Sequence, residues 1–169
     1  MCLRTAGAAE TTREYTRRDA LKAIATFNET PVSRLGKEAS AIILDFAEKS
    51  ESVDVLITLV ATPWMSGDDE ENLNDTLLVA YVAGNVKSQL DRGVTSNDSY
   101  AGVRQVLKTY AQLQKQNKGF RVAAVEKFKE LEEKKGLKKY LDDAIRKERE
   151  SAPDLRDSPF LQKAHFKNG

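Results

Sequence analysis

Apolar residues recur every three or four positions through most of this chain, the spacing that gathers side chains on one face of an α-helix. The rhythm is strongest from Leu73 to Ile145. Upstream, Ala20, Leu21, Ile24, Ala25 and Phe27 predict a first helix from Thr16 to about Asn28. Val32, Leu35, Ala39, Ile42, Ile43 and Phe46 predict a second, with Thr30 as N-cap, Pro31 at the first helical position and an end near Lys49-Ser50. The next takes Leu73, Leu77, Leu78, Tyr81, Val82 and Leu90 inward behind the acidic run Asp68–Glu71, and stops at Gly93. Ser96-Asn97-Asp98 opens a helix carrying Tyr100, Val103, Val106, Leu107, Tyr110 and Leu113. Val122, Val125, Phe128 and Leu131 mark another, ending at Gly136, and Leu137, Tyr140, Leu141, Ala144 and Ile145 the last.

One stretch fits this rhythm poorly. Between Ser52 and Met65, Val53, Val55, Ile57 and Leu59 alternate and several residues are β-branched, which favours a strand. No second segment offers itself as a pairing partner, and a lone strand leaves its backbone groups unsatisfied. A short buried helix from Ser52 to Ala61, stopped before Pro63, is therefore the expectation. Trp64 follows in a loop, as an apolar plug between helices or as a binding anchor.

The predicted fold class is all-α, an antiparallel helical bundle or short solenoid-like stack of about six helices. The expected organisation is a flexible N-terminus over 1–15, a single helical domain over 16–150 and an extended C-terminal tail over 151–169, where Pro153 and Pro159 interrupt any periodicity. A chain of 169 residues suits one core. No motif repeats at a fixed interval, and the tetratricopeptide pattern is absent.

Composition narrows function mainly by exclusion. Basic and acidic residues nearly balance, 27 against 26, so electrostatic recognition must be local. With one cysteine (Cys2) and one histidine (His165), a disulfide or soft metal site has no basis, and no motif asks for a cofactor. The longest apolar run, Val53–Ala61, is far too short to span a bilayer. Cytoplasm is the default compartment. Were an export signal removed ahead of Cys2, that residue would be acylated and the protein attached to the envelope.

The acidic run after Gly67 lacks the glycine and terminal glutamate of a calcium loop, having Leu73 and Val79 at those positions. Three Asn-X-Ser/Thr triplets, at Asn28, Asn74 and Asn97, read as capping chemistry. No nucleophile elbow, phosphate loop or zinc-binding helix occurs, so an enzyme is improbable.

The feature that singles out a site is Gly84-Asn85 within a helix, where glycine costs about 1 kcal/mol relative to alanine. Either a neighbouring helix approaches closely there, with Ala101-Gly102 as the opposing surface, or a ligand or partner docks. On the second reading Tyr81, Gly84, Asn85, Ser88 and Gln89 line the site, with Trp64 as a further contact. The functional expectation is thus a non-enzymatic helical interaction module that holds a protein or peptide in an inter-helix groove. Two alternatives stand. The Lys115–Arg149 region carries an excess of five positive charges, with Lys134, Lys135, Lys138 and Lys139 around Gly136, and would suit RNA. Its interspersed glutamates equally suit a solvated helix face. A small enzyme with carboxylate or amide chemistry near Asn85 is the third reading.

Overall fold

A computed structural model describes residues 14–66 and 71–151, with the side chains of Glu71 and Asn72 left aside. Residues 1–13 of the expected N-terminal segment, the acidic residues 68–70, residues 152–169 of the expected tail, Cys2 and His165 lie outside them. Six α-helices follow in order: α1 (Arg17–Glu29), α2 (Arg34–Lys49), α3 (Glu71–Arg92), α4 (Ser99–Gln116), α5 (Ala123–Glu133) and α6 (Leu137–Ser151). Consecutive helices pair antiparallel, as α1 with α2, α3 with α4, and α5 with α6. The first pair leans on α3 and the last on α4, so the α3–α4 pair is the middle of the stack. No strand occurs among the described residues.

Local chemistry sets the helix ends. Thr16 and Asp19 form a reciprocal capping box at α1, each side chain satisfying the other's backbone N–H. The α1–α2 reversal departs from the sequence reading by one turn. Thr30 closes α1 through an N–H donated to the Thr26 carbonyl, and Ser33, not Thr30, caps α2 by accepting from the Gly36 N–H. Pro31 sits in the turn between them. The shift re-aims the start of α2: Val32 and Leu35 face solvent, and the buried stripe is Gly36, Ala39, Ile43 and Phe46. Gly36 is required because a side chain there would run into the Thr30 carbonyl.

From Leu77 to Val86 every residue of α3 is buried, which is why its pattern is less one-sided than those of its neighbours. It ends at Gly93, whose φ of 65° is the left-handed conformation glycine adopts most cheaply. Asp98 caps α4, and the stripe Val103, Val106, Tyr110 and Leu113 is buried against α3 and α5.

The expected helix over 52–61 is not formed. Residues 53–58 are non-helical chain, followed by a turn at 59–61 and a short 3-10 turn at Pro63–Ser66. The sequence reading lacked the partner that makes this possible, described below. Trp64, in the 3-10 turn, is a plug: it is 1% exposed and meets the ring of Phe128 edge-on at 6.4 Å.

Candidate functional site

The Gly84-Asn85 face is a close helix–helix contact. A Cβ at Gly84 would lie 2.5 Å from the Ala101 carbonyl oxygen and 2.6 Å from the Gln105 Cβ. One at Gly102 would lie 2.6 Å from the Tyr81 ring. Two glycines on opposing helices thus let α3 and α4 approach.

Around this contact the structure brings together Tyr81, Asn85 and Gln89, all fully buried, while Ser88 is half-buried at the edge. Their polar atoms are engaged within the chain. The Gln89 amide accepts at Oε1 from the N–H groups of Asp54 (2.9 Å) and Ser96 (3.0 Å), and donates from Nε2 to the Asp54 carbonyl and Asn85 Oδ1, both at 2.7 Å. Asn85 accepts from the Asp98 N–H at 2.9 Å and donates to Asn97 Oδ1 at 2.6 Å. Asn97 Oδ1 also accepts from the Leu56 N–H at 2.9 Å. The Tyr81 hydroxyl lies 2.8 Å from the Leu56 carbonyl and 3.0 Å from Ser99 Oγ, placed to donate to the first and accept from the second. Burial raises its pKa to about 12. Ser88 and Arg92 both donate to Asp98 Oδ2, at 2.7 and 3.0 Å.

The face that the sequence offered to a partner is therefore met by the chain itself: α4 lies on Gly84, the α3–α4 connection bonds to Asn85 and Ser88, and residues 54–56 are held by Gln89, Asn97 and Tyr81. Amide and phenol groups so satisfied hold geometry; they supply no nucleophile and no proton donor of ordinary acidity. Trp64 stands apart from this cluster, in the core beside Phe128. No group of metal-binding side chains occurs among the described residues. Nor is any helix there long and apolar enough to cross a membrane.

An open recess lies on the outer side of the same network. A cleft of about 410 Å³ separates the α3–α4 connection from α6. Arg92, Lys138, Arg146 and Arg149 line it, against only Asp98 and Asp142, with Tyr100 and Ile145 as its apolar walls. Arg92 pairs with Asp98 at 3.0 Å, Lys138 with Asp142 at 2.7 Å, and Arg146 with Asp143 at 2.9 Å. Arg149 is exposed and has no ion-pair partner among the described residues. Sequence reading placed Lys138, Arg146 and Arg149 within the basic stretch Lys115–Arg149, did not single out Arg92, and missed the cleft, because it takes the Asn97–Tyr100 segment to form the opposite wall.

The lysines around Gly136 are solvent-exposed, and Lys135 holds a positive φ of 55° in the turn. The neighbouring aromatics are committed: Tyr100 donates to Glu132, and the Tyr140 ring packs near Phe128 with the Lys127 ammonium 5.1 Å from its centre. In comparisons with known proteins, no family model, no curated protein and no solved structure matches this chain.

Proposed function

We infer that this protein is a non-enzymatic helical interaction module that takes an acidic segment of a partner protein into the cleft between the α3–α4 connection and α6. The observation that supports it is the cationic lining of that recess, in which Arg92, Lys138 and Arg146 are ion-paired at its rim and Arg149 is exposed with no ion-pair partner among the described residues. A guanidinium offers paired donors that match a carboxylate, and the Tyr100 and Ile145 walls give an adjacent apolar side chain a surface to lie on. On this reading Tyr81, Asn85 and Gln89, whose polar groups are hydrogen-bonded within the chain, serve the cleft indirectly: Asn85 and Gln89 fix its wall through Ser96, Asn97 and Asp98.

The test is fluorescence anisotropy with a labelled peptide of alternating Glu and Leu, beside a Lys/Leu peptide and a single-stranded RNA. Binding of the acidic peptide that weakens with salt and falls about tenfold or more in Arg146→Ala/Arg149→Ala supports the reading. Equal binding of both peptides overturns it. So does RNA binding abolished by alanine at Lys134, Lys135, Lys138 and Lys139, which would move function to the α5–α6 turn.

A further inference from the structure

Residues 53–57 are not paired as a β-strand, yet their backbone hydrogen bonds alternate as those of a strand with one neighbour do. In an extended chain the backbone groups of alternate residues point to opposite edges. On one edge Asp54 and Leu56 have both N–H and carbonyl satisfied, Asp54 by Gln89 and Leu56 by Asn97 and Tyr81. Side-chain amides and a phenol thus stand where a second strand would be. On the other edge, the N–H and carbonyl groups of Val53, Val55 and Ile57 have no hydrogen-bond partner among the described residues. Val53 is anchored in the core at 6% exposure, Val55 and Ile57 are half-buried, and the next apolar residue, Leu59, is 62% exposed.

An unpaired strand edge is a template for another extended chain. We propose that this edge pairs with the same edge of a second copy of the chain, antiparallel and centred on Val55. The sequence is self-complementary in that register. Val55 faces Val55 of the second copy, Val53 faces Ile57, and each such pair exchanges two backbone hydrogen bonds. Asp54 falls opposite Leu56, so the two Asp54 carboxylates do not oppose each other. The β-branched residues Val55 and Ile57 on the shared face extend each core sideways. The strand is held rigid before it pairs, which lowers the entropy lost on association. The pairing is independent of the cleft, because it uses the opposite edge of the segment from Asn97.

Amide hydrogen exchange at low and high protein concentration tests the pairing residue by residue, alongside sedimentation. In dilute solution the Asp54 and Leu56 amides are expected to be protected and the Val55 and Ile57 amides fast. At high concentration the latter two slow by about tenfold or more as a dimer forms. Val55→Pro removes an N–H that the monomer does not use, and is expected to abolish the dimer while leaving helical circular dichroism intact. Ile57→Pro makes the same test from the other side of the register. The proposal is overturned if the chain stays monomeric, or if Val55 and Ile57 amides exchange at one rate at every concentration. A dimer that survives both prolines in folded protein overturns it equally.

Discussion

Gln89 reads the backbone of Asp54 in both directions, accepting from its N–H at 2.9 Å and donating to its carbonyl at 2.7 Å, across 35 positions of sequence. The same amide holds Ser96 and Asn85. A single side chain thereby fixes the extended segment, the α3–α4 connection and α3 itself. Gln89→Ala removes a partner of the Asp54 N–H and carbonyl, of the Ser96 N–H and of Asn85 Oδ1. Asp54 and Ser96 are exposed and can turn to water, while Asn85 is fully buried, where an unsatisfied group costs about 1–3 kcal/mol. A loss of about 1–3 kcal/mol is expected in urea unfolding, with faster exchange at the Asp54 amide. An unchanged Asp54 amide would show that the segment is held by other means.

The glycines separate two kinds of cost. Gly84→Ala places a methyl 2.5 Å from the Ala101 carbonyl oxygen, an obstacle of backbone that only a helix shift relieves, and a loss of about 1–3 kcal/mol is expected. Gly93→Ala meets nothing within 4 Å yet needs φ of +65°, so its cost of about 1 kcal/mol is conformational. Gly119→Ala has neither problem, with its nearest neighbour Asn117 Oδ1 at 3.4 Å, and is expected near neutral. Thermal unfolding of the three variants should rank them in that order.

Helix order, the three pairs and most core positions were legible in the sequence because α1, α4, α5 and α6 each bury one stripe and expose the rest. The Gly84 approach was legible for a related reason, since a glycine inside a helix signals contact. Residues 53–58 were not. Their alternation has the period of a strand, but the groups that satisfy them are Gln89, Asn97 and Tyr81, side chains on a helix and a loop that no pairing rule searches. Nor did the sequence indicate that Tyr81 and Gln89 hold a piece of the chain itself. The cleft cations sit on a face of α6 that reads, by charge alone, like any solvated helix.

Tyr81 makes stability fall at high pH. Its pKa is about 12 in the folded chain against an ordinary value of 10.0. The folded state therefore holds a proton that the unfolded state gives up first, and its contribution is complete below pH 10 and lost as pH rises through 12. The shift corresponds to roughly 2–3 kcal/mol. Tyr81→Phe should cost about 1–2 kcal/mol at neutral pH by orphaning the Leu56 carbonyl. It should also flatten the alkaline decline. An equally steep decline in the variant would assign the effect to other tyrosines, of which Tyr100 and Tyr110 are also shifted upward by burial.

At the acid end the matching group is Glu126, which accepts from the Tyr110 hydroxyl at 2.7 Å and from Gln114 Nε2 at 3.0 Å, tying the end of α4 to the start of α5. The Tyr110 bond, reinforced by Gln114, lowers its pKa below the ordinary carboxylate value. Its contribution is present above that ordinary value and disappears as pH falls through the folded one. Glu126→Gln should leave neutral-pH stability only slightly reduced and remove this share of the acid-side slope in urea midpoints.

Trp64 reports on the core directly, since it is the chain's single tryptophan and is 1% exposed. Its emission should be blue-shifted and resistant to iodide quenching in the folded state. The indole Nε1 has no hydrogen-bond partner among the described residues, so replacing the ring by an apolar one orphans nothing new. Trp64→Phe is accordingly expected to cost less than Trp64→Ala, which opens a cavity against Phe128 at a cost of about 3–5 kcal/mol. A solvent-exposed emission maximum, or an alanine variant as stable as the parent, would mean that this turn does not close the core between α3 and α5. In that case Trp64 would return as a surface anchor for a partner, beside the exposed Met65.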